Sequence, residues 1–168
     1  MININKQSED PNYRYKMPKV IVRIAGRGNG SYTFLDNIDD VSTAINTPSL
    51  VLLNFISRSL GSSCNLEKNT ITGHYTYEKI EESIYNFINF FVLCKKCSIP
   101  ETMPQVSGNK KNKILEFKCS ACGSTSEVSS SSKLYGKMID FIIKNKDLYV
   151  IKKGNLVEKE EKDLFNPF

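Results

Sequence analysis

The sequence has no tryptophan and only one histidine, His74, among its 168 residues. A histidine-based catalytic relay therefore has one candidate, and a lone histidine beside a glycine is more often a turn or core residue than a general base. The stretch GRGNG (residues 26–30) looks like a phosphate loop but lacks the Gly-Lys-Ser/Thr ending and leads into a predicted strand. The chain is therefore not expected to be a GTPase itself.

Long apolar runs are also missing. The N-terminus MININKQSEDPN has no apolar stretch of signal-peptide length, and the most apolar segment, YNFINFFVLC (85–94), is short and interrupted by asparagine. We therefore expect a cytoplasmic, monomeric protein with no membrane association. In a reducing compartment the five cysteines should be thiols or metal ligands rather than structural disulfides.

Positive charge is modest in sum and uneven along the chain. The formal net charge is +5, with six Lys/Arg against two acidic residues in 1–30 and again in 94–118, while 31–93 has three against seven. This asymmetry favours an anionic partner that meets two separate basic surfaces. It does not identify the polyanion.

Four of the five cysteines form two CxxC pairs, Cys94 with Cys97 and Cys119 with Cys122. Two such pairs complete the tetrahedral all-sulfur site that zinc accepts, and four protein ligands leave no open position for catalysis. The gap of 21 residues slightly exceeds the usual spacing of about 15–20, which an intervening hairpin can absorb. We therefore expect one structural Zn²⁺ in a zinc ribbon. Disulfides or a redox pair are the alternatives, and Cys64 is expected to be an ordinary thiol.

Apolar patterns ahead of the first CxxC pair predict a mixed α/β unit. KVIVRIA (19–25) and SYTFLDN (31–37) should form a hairpin around GRGNG, and CNLEKNTITG (64–73) should form a second one. A short helix capped by Asp39 is expected at DDVSTAIN. The segment LVLLNFISRSLGSS (50–63) fits either a helix or a buried strand.

Two amphipathic helices and a hairpin complete the expected elements. YEKIEESIYNFINFFVL (77–93) has an apolar face at helical spacing, formed by Ile80, Ile84, Phe87, Ile88 and Phe91. MPQVSG and KILEFKC should be the strands of the ribbon hairpin. KLYGKMIDFIIKN (133–145) should be a helix, with four residues inward: Leu134, Met138, Phe141 and Ile142.

The predicted fold class is α+β, with four parts along the chain. These are a flexible N-terminal arm (1–18), an α/β domain (19–93), a zinc ribbon (94–128), and a C-terminal helix with a charged tail (129–168).

Five short stretches carry a resemblance to a known family. In chain order they are YRYKMP (13–18), GRGNG (26–30), LG (60–61), FVLCKKCSIPET (91–102) and CSACG (119–123). Together they resemble the N-terminal half of the eukaryotic translation initiation factor five family. The fold this implies is an initiation-factor-type mixed α/β domain followed by a zinc ribbon.

The resemblance also implies a function and its residues. Members of that family activate GTP hydrolysis by the γ subunit of initiation factor two on the small ribosomal subunit, which helps start-codon selection. Arg14, in the YRY motif, would be an arginine finger supplied in trans. Lys16, Arg27 and Asn29 would contact RNA, with initiator tRNA as the partner near the ribosomal P site.

The sequence departs from the family pattern at several points. Tyr32 and Asn54 stand near family lysines, and the family's C-terminal HEAT-type domain is not part of this sequence. The alternative is a non-catalytic, tRNA-contacting β-type subunit of initiation factor two. That family has a long lysine-rich extension before the same α/β unit and ribbon, whereas this chain begins 12 residues before YRY. A generic zinc-ribbon nucleic-acid binder is the third possibility.

Overall fold

The computed structural model describes residues 1–149, which form three antiparallel sheets and four α-helices. The strands are β1 (Ile2–Asn3), β2 (Lys16–Met17), β3 (Val22–Ala25), β4 (Tyr32–Leu35), β5 (Cys64–Asn65), β6 (Thr70–Thr72), β7 (Thr102–Gly108), β8 (Lys113–Cys119) and β9 (Thr125–Glu127). The helices are α1 (Ile38–Ala44), α2 (Ser49–Ser59), α3 (Tyr77–Phe87) and α4 (Lys133–Lys144). The α+β class is confirmed, and the predicted charged tail lies outside the described residues.

The central sheet has the strand order β3-β4-β6-β5, so both predicted hairpins are present. In the first, Val22 pairs with Leu35 and Ala25 pairs with Tyr32. Strand alternation then places Val22 and Leu35 on the face that contributes to the core. The turn between them is GRGNG, and Gly26 and Gly28 have φ of 84° and 58°, which few residues other than glycine adopt readily.

The ambiguous segment 50–63 is mostly helical, as α2. Six of its eleven helical residues are buried, because α2 packs against α1, α3 and α4. All five predicted inward residues of α3 and the turn after it are buried. That turn, Ile88–Val92, is a π-helix that carries the chain to Cys94 two residues later.

The ribbon sheet β7-β8-β9 shares one hydrophobic core with the α/β unit. Leu115 and Phe117 of β8 are buried in it, and the Phe117 ring lies 6.3 Å from that of Phe91. From α4, Met138 and Ile142 enter the same core, whereas Leu134 and Phe141 are half-buried.

The segment 1–18, which was expected to be a flexible arm, is held against the rest of the protein at both of its ends. Strands β1 and β2 pair through Ile2 with Met17, and Ile4 and Met17 are 2% and 1% exposed. Burying two large apolar side chains stabilises the segment by about 1.5–3 kcal/mol each. The loop that includes residues 5–14 is therefore held at its two ends.

Helix α1 begins at Ile38, so Asp39 is not its N-cap. Asn37 occupies that position, and its side chain does not cap the helix. It accepts a hydrogen bond from the Ile21 N–H (2.7 Å) and donates one to the Lys19 carbonyl (2.8 Å). The helix start therefore serves to fix the entry into β3.

Candidate functional site

Arg14 lies two residues before β2, on the outer side of the anchored segment. Its side chain is 78% exposed. The guanidinium donates a hydrogen bond to the Tyr15 hydroxyl (2.7 Å) and lies over the Tyr15 ring, 4.8 Å from its centroid. This hydrogen bond raises the pKa of Arg14 further, so the group is a permanent, accessible cation.

Tyr15 connects Arg14 to the base of the ribbon. Its hydroxyl donates a short hydrogen bond to Oε1 of Glu101, and Arg14 Nη2 lies 3.4 Å from the same oxygen. Burial, followed by the bond to Glu101, raises the pKa of Tyr15, which keeps the phenol protonated as a donor. Two sequence motifs, YRYKMP and the PET of FVLCKKCSIPET, thus meet in space.

A cleft of about 360 Å³ opens beside this contact. It lies between the N-terminal segment, the end of α1 and the ribbon, with Tyr15, Asn46, Glu101 and Met103 among its lining residues. The Asn46 side-chain amide lies 2.9 Å from the Met103 sulfur. This contact ties the turn just after α1 to β7 next to the candidate site.

The residues predicted to contact RNA lie on two elements. Lys16 is an exposed residue of β2, close to Arg14 in the chain. Arg27 and Asn29 are exposed at the tip of the β3–β4 hairpin. All three side chains therefore reach solvent, with the hairpin tip presenting two of them together.

The four predicted ligand cysteines come together, with all sulfur atoms within 4.8 Å of one another. Cys94 Sγ lies 3.7 Å from Cys122 Sγ, and Cys97 Sγ lies 3.6 Å from Cys119 Sγ. A tetrahedral zinc site with Zn–S bonds of about 2.3 Å has sulfur atoms about 3.8 Å apart. Disulfide bonds need about 2.05 Å, so the two-disulfide alternative does not fit this geometry.

The two CxxC turns have the same backbone construction. In the first, the Ser98 N–H donates to the Cys94 carbonyl (2.9 Å); in the second, the Gly123 N–H donates to that of Cys119 (2.9 Å). Ser98 and Gly123 both adopt positive φ, 56° and 72°. The hydrogen bond between Ser124 and Cys122 lowers the pKa of that thiol, whereas burial raises the pKa of Cys97 to about 12 and also raises that of Cys119. Metal binding requires the cysteines to be thiolates.

The two positions near family lysines have different surroundings. Tyr32 is 45% exposed at the start of β4. Asn54, on α2, accepts a hydrogen bond from Arg58 Nε at 2.6 Å. The positive group on this helix surface is therefore Arg58, one turn away from Asn54.

Sequence reasoning did not single out Glu101 or Tyr15 as part of a site. They lie 86 positions apart in the chain, and no local sequence pattern predicts a contact between residues at that separation. The available signal was that both residues lie inside the quoted motifs.

None of the helices in residues 1–149 is long and apolar enough to cross a membrane.

Comparison with known proteins places the chain in a family. The model of a domain described as found in initiation factors 2B and 5 matches residues 5–125. The chain is 32% identical to "Probable eukaryotic translation initiation factor 5" of Schizosaccharomyces pombe over 164 residues, which is 95% of this chain and 41% of that protein. It is 34% identical over 148 residues to eukaryotic translation initiation factor 5 of Caenorhabditis elegans and of Saccharomyces cerevisiae.

The latter matches cover 86% of this chain and 32% and 35% of those two proteins. The chain thus spans 32–41% of the length of these relatives. The family model covers well over half of the chain, and its range includes Arg14, the hairpin tip and all four cysteines. The chain therefore belongs to the family defined by the domain of initiation factors 2B and 5, and it is related to the N-terminal part of eukaryotic translation initiation factor 5.

Proposed function

We propose that this protein activates GTP hydrolysis by initiation factor two on the small ribosomal subunit and supplies Arg14 in trans as an arginine finger. The γ subunit of that factor, with its GTP, is the direct partner. The observation that carries the proposal is an exposed guanidinium, in the motif YRYKMP, on a segment whose two ends are anchored. In initiation, this activity would help start-codon selection.

The chemistry of phosphoryl transfer explains why this group suits the task. Charge spreads over the γ-phosphoryl oxygens in the transition state, and a positioned guanidinium stabilises it, which accelerates hydrolysis by about 10³–10⁵ in known cases. Arginine presents a planar fork of donors that can bridge two oxygens. In the free protein Nη2 of Arg14 donates to Tyr15 and lies 3.4 Å from Glu101; a phosphoryl group can replace the exposed contact to Glu101.

RNA contacts would hold the protein in place on the ribosome. Lys16, Arg27 and Asn29 are exposed, and such groups bind mainly phosphate, so binding should depend on salt and little on sequence. Initiator tRNA and ribosomal RNA are the proposed polyanions.

The metal held by the four cysteines is proposed to be a single structural Zn²⁺. The all-sulfur donor set, the tetrahedral spacing and the two matched turns support this identity. Cys94, Cys97, Cys119 and Cys122 would all be thiolates, and the ion would cross-link the ends of the ribbon.

Single-turnover GTP hydrolysis tests the proposal. The γ-containing initiation factor two, bound to GTP and charged initiator tRNA on small subunits, is mixed with wild type, Arg14→Ala or Lys19→Ala. Lys19 is an exposed cation just after the same segment, so its variant controls for loss of one charge. Wild type and Lys19→Ala should stimulate hydrolysis alike, and Arg14→Ala should lower the rate by about 10²–10⁴. Equal rates with and without wild type would refute GTPase activation.

The non-catalytic β-type role is the second candidate. It is favoured by Tyr32, which stands near the position of one family lysine, and by Asn54, which stands in place of another. That role predicts salt-dependent tRNA binding with no change in hydrolysis rate, so the same assay separates the two candidates.

A further inference from the structure

Arg14, Tyr15 and Glu101 form a chain of hydrogen bonds in which each group donates to the next. Arg14 Nη2 donates to the Tyr15 hydroxyl at 2.7 Å, and that hydroxyl donates in turn to Glu101. Glu101 also lies 3.4 Å from Arg14, but this ion pair is exposed on the arginine side. Exposed ion pairs are weak, so the Arg14–Glu101 contact can be exchanged while the Arg14–Tyr15 and Tyr15–Glu101 bonds persist.

Both members of the Tyr15–Glu101 bond have fixed backbones. The Tyr15 carbonyl accepts a hydrogen bond from the Ile4 N–H (3.0 Å), one residue before β2. The Glu101 carbonyl accepts one from the Ser120 N–H (2.8 Å). Thr102, the next residue, is buried and donates its hydroxyl hydrogen to the Val92 carbonyl (2.8 Å). The bond therefore links the arm to the base of the ribbon.

We propose that Tyr15 and Glu101 are positioning residues that set the direction of Arg14 toward the nucleotide of the partner GTPase. This inference rests on the proposed function. The rate contribution of a transition-state donor depends on its being held near its working geometry before reaction. The pairing of β1 with β2 holds only the two ends of the loop over residues 5–14. The bond from the Tyr15 side chain to Glu101 holds the residue next to Arg14.

The proposal predicts a split between rate and binding. Tyr15→Phe keeps the ring under Arg14 and removes the hydroxyl, so the maximal single-turnover rate should fall about tenfold, which corresponds to about 1.4 kcal/mol. The concentration giving half of the maximal rate should stay within twofold. Glu101→Ala removes the same bond from the ribbon side and should have the same effect, so a folding defect in one variant does not decide the test.

Two further variants separate positioning from general stability. Glu101→Gln keeps an oxygen that accepts from Tyr15 and should retain most of the rate. Tyr77→Phe removes a comparable tyrosine–glutamate bond, to Glu81 on α3, and should leave the rate unchanged. Zinc content and melting temperature, measured for each, establish that the compared variants are folded.

The Arg14→Ala background gives the decisive comparison. If Tyr15 acts through Arg14, Tyr15→Phe should lower the rate in the wild-type background and change nothing when Arg14 is already alanine. An equal loss in both backgrounds, or no loss in the first, overturns the positioning role. No stimulation by wild type refutes the proposed function and this inference together, whereas normal stimulation that is insensitive to Tyr15→Phe refutes the inference alone.

Discussion

Gly26→Ala should destabilise the β3–β4 hairpin more than any other glycine substitution in its turn. Gly26 has φ of 84°, and a left-handed conformation costs an alanine about 1–2 kcal/mol. A Cβ there would also lie 2.0 Å from the Gly30 carbonyl oxygen, a backbone atom that moves only if the turn opens. Strain and clash together should lower the free energy of unfolding by more than about 2 kcal/mol, measured by urea denaturation of the zinc-loaded protein.

The same turn provides controls that separate strain from clash. Gly28 has φ of 58° and open space around its Cβ position, so Gly28→Ala should cost only the strain, about 1 kcal/mol. Gly28→Asn should cost less, because asparagine tolerates this conformation. Gly30 has neither problem, and Gly30→Ala should stay within about 0.5 kcal/mol of wild type. Equal effects of the substitutions at Gly26 and Gly30 would refute this reasoning.

Three other perturbations have expected outcomes. Chelation of the metal, or Cys97→Ser, should disorder the ribbon and also lower the melting temperature of the α/β unit, because the two share one core. Elemental analysis and the dispersion of NMR signals check this outcome. A ribbon that stays folded without zinc would contradict it. Ser98→Gly should raise the free energy of unfolding by about 0.5–1 kcal/mol, since Ser98 has φ of 56°, and an unchanged urea midpoint would count against it. Arg27→Ala should weaken binding to small subunits and reduce the slope of log affinity against log salt by about one; an identical slope would exclude a phosphate contact.

The sequence predicted the elements whose residues carry a local signal. The apolar face from Ile80 to Phe91 repeats at helical spacing and is buried as expected. The spacing of the four cysteines predicts a metal site, because two thiolates three residues apart can bind the same ion. The glycines of GRGNG predict a turn, because they permit positive φ.

Other features depend on tertiary contacts that no local pattern encodes. Helix α2 is buried on most of its surface, so its apolar run has no clear period. The π turn at Ile88–Val92 is hidden because the same apolar residues fit a straight helix. The burial of Ile4 and Met17 was missed because β1 and β2 have only two residues each, too few to show alternation.

Arg14→Lys tests most directly the proposal that Arg14 stabilises charge in the transition state of GTP hydrolysis. Lysine keeps the positive charge of the segment but loses the planar fork that can bridge two phosphoryl oxygens. In single-turnover GTP hydrolysis by initiation factor two on small subunits, Arg14→Lys should be nearly as defective as Arg14→Ala, losing about 10²–10⁴ in rate. Both variants should bind the GTPase within a few-fold of wild type. A lysine variant that keeps most of the rate, or a pair of variants that fail to bind, would make Arg14 a docking residue and contradict the account.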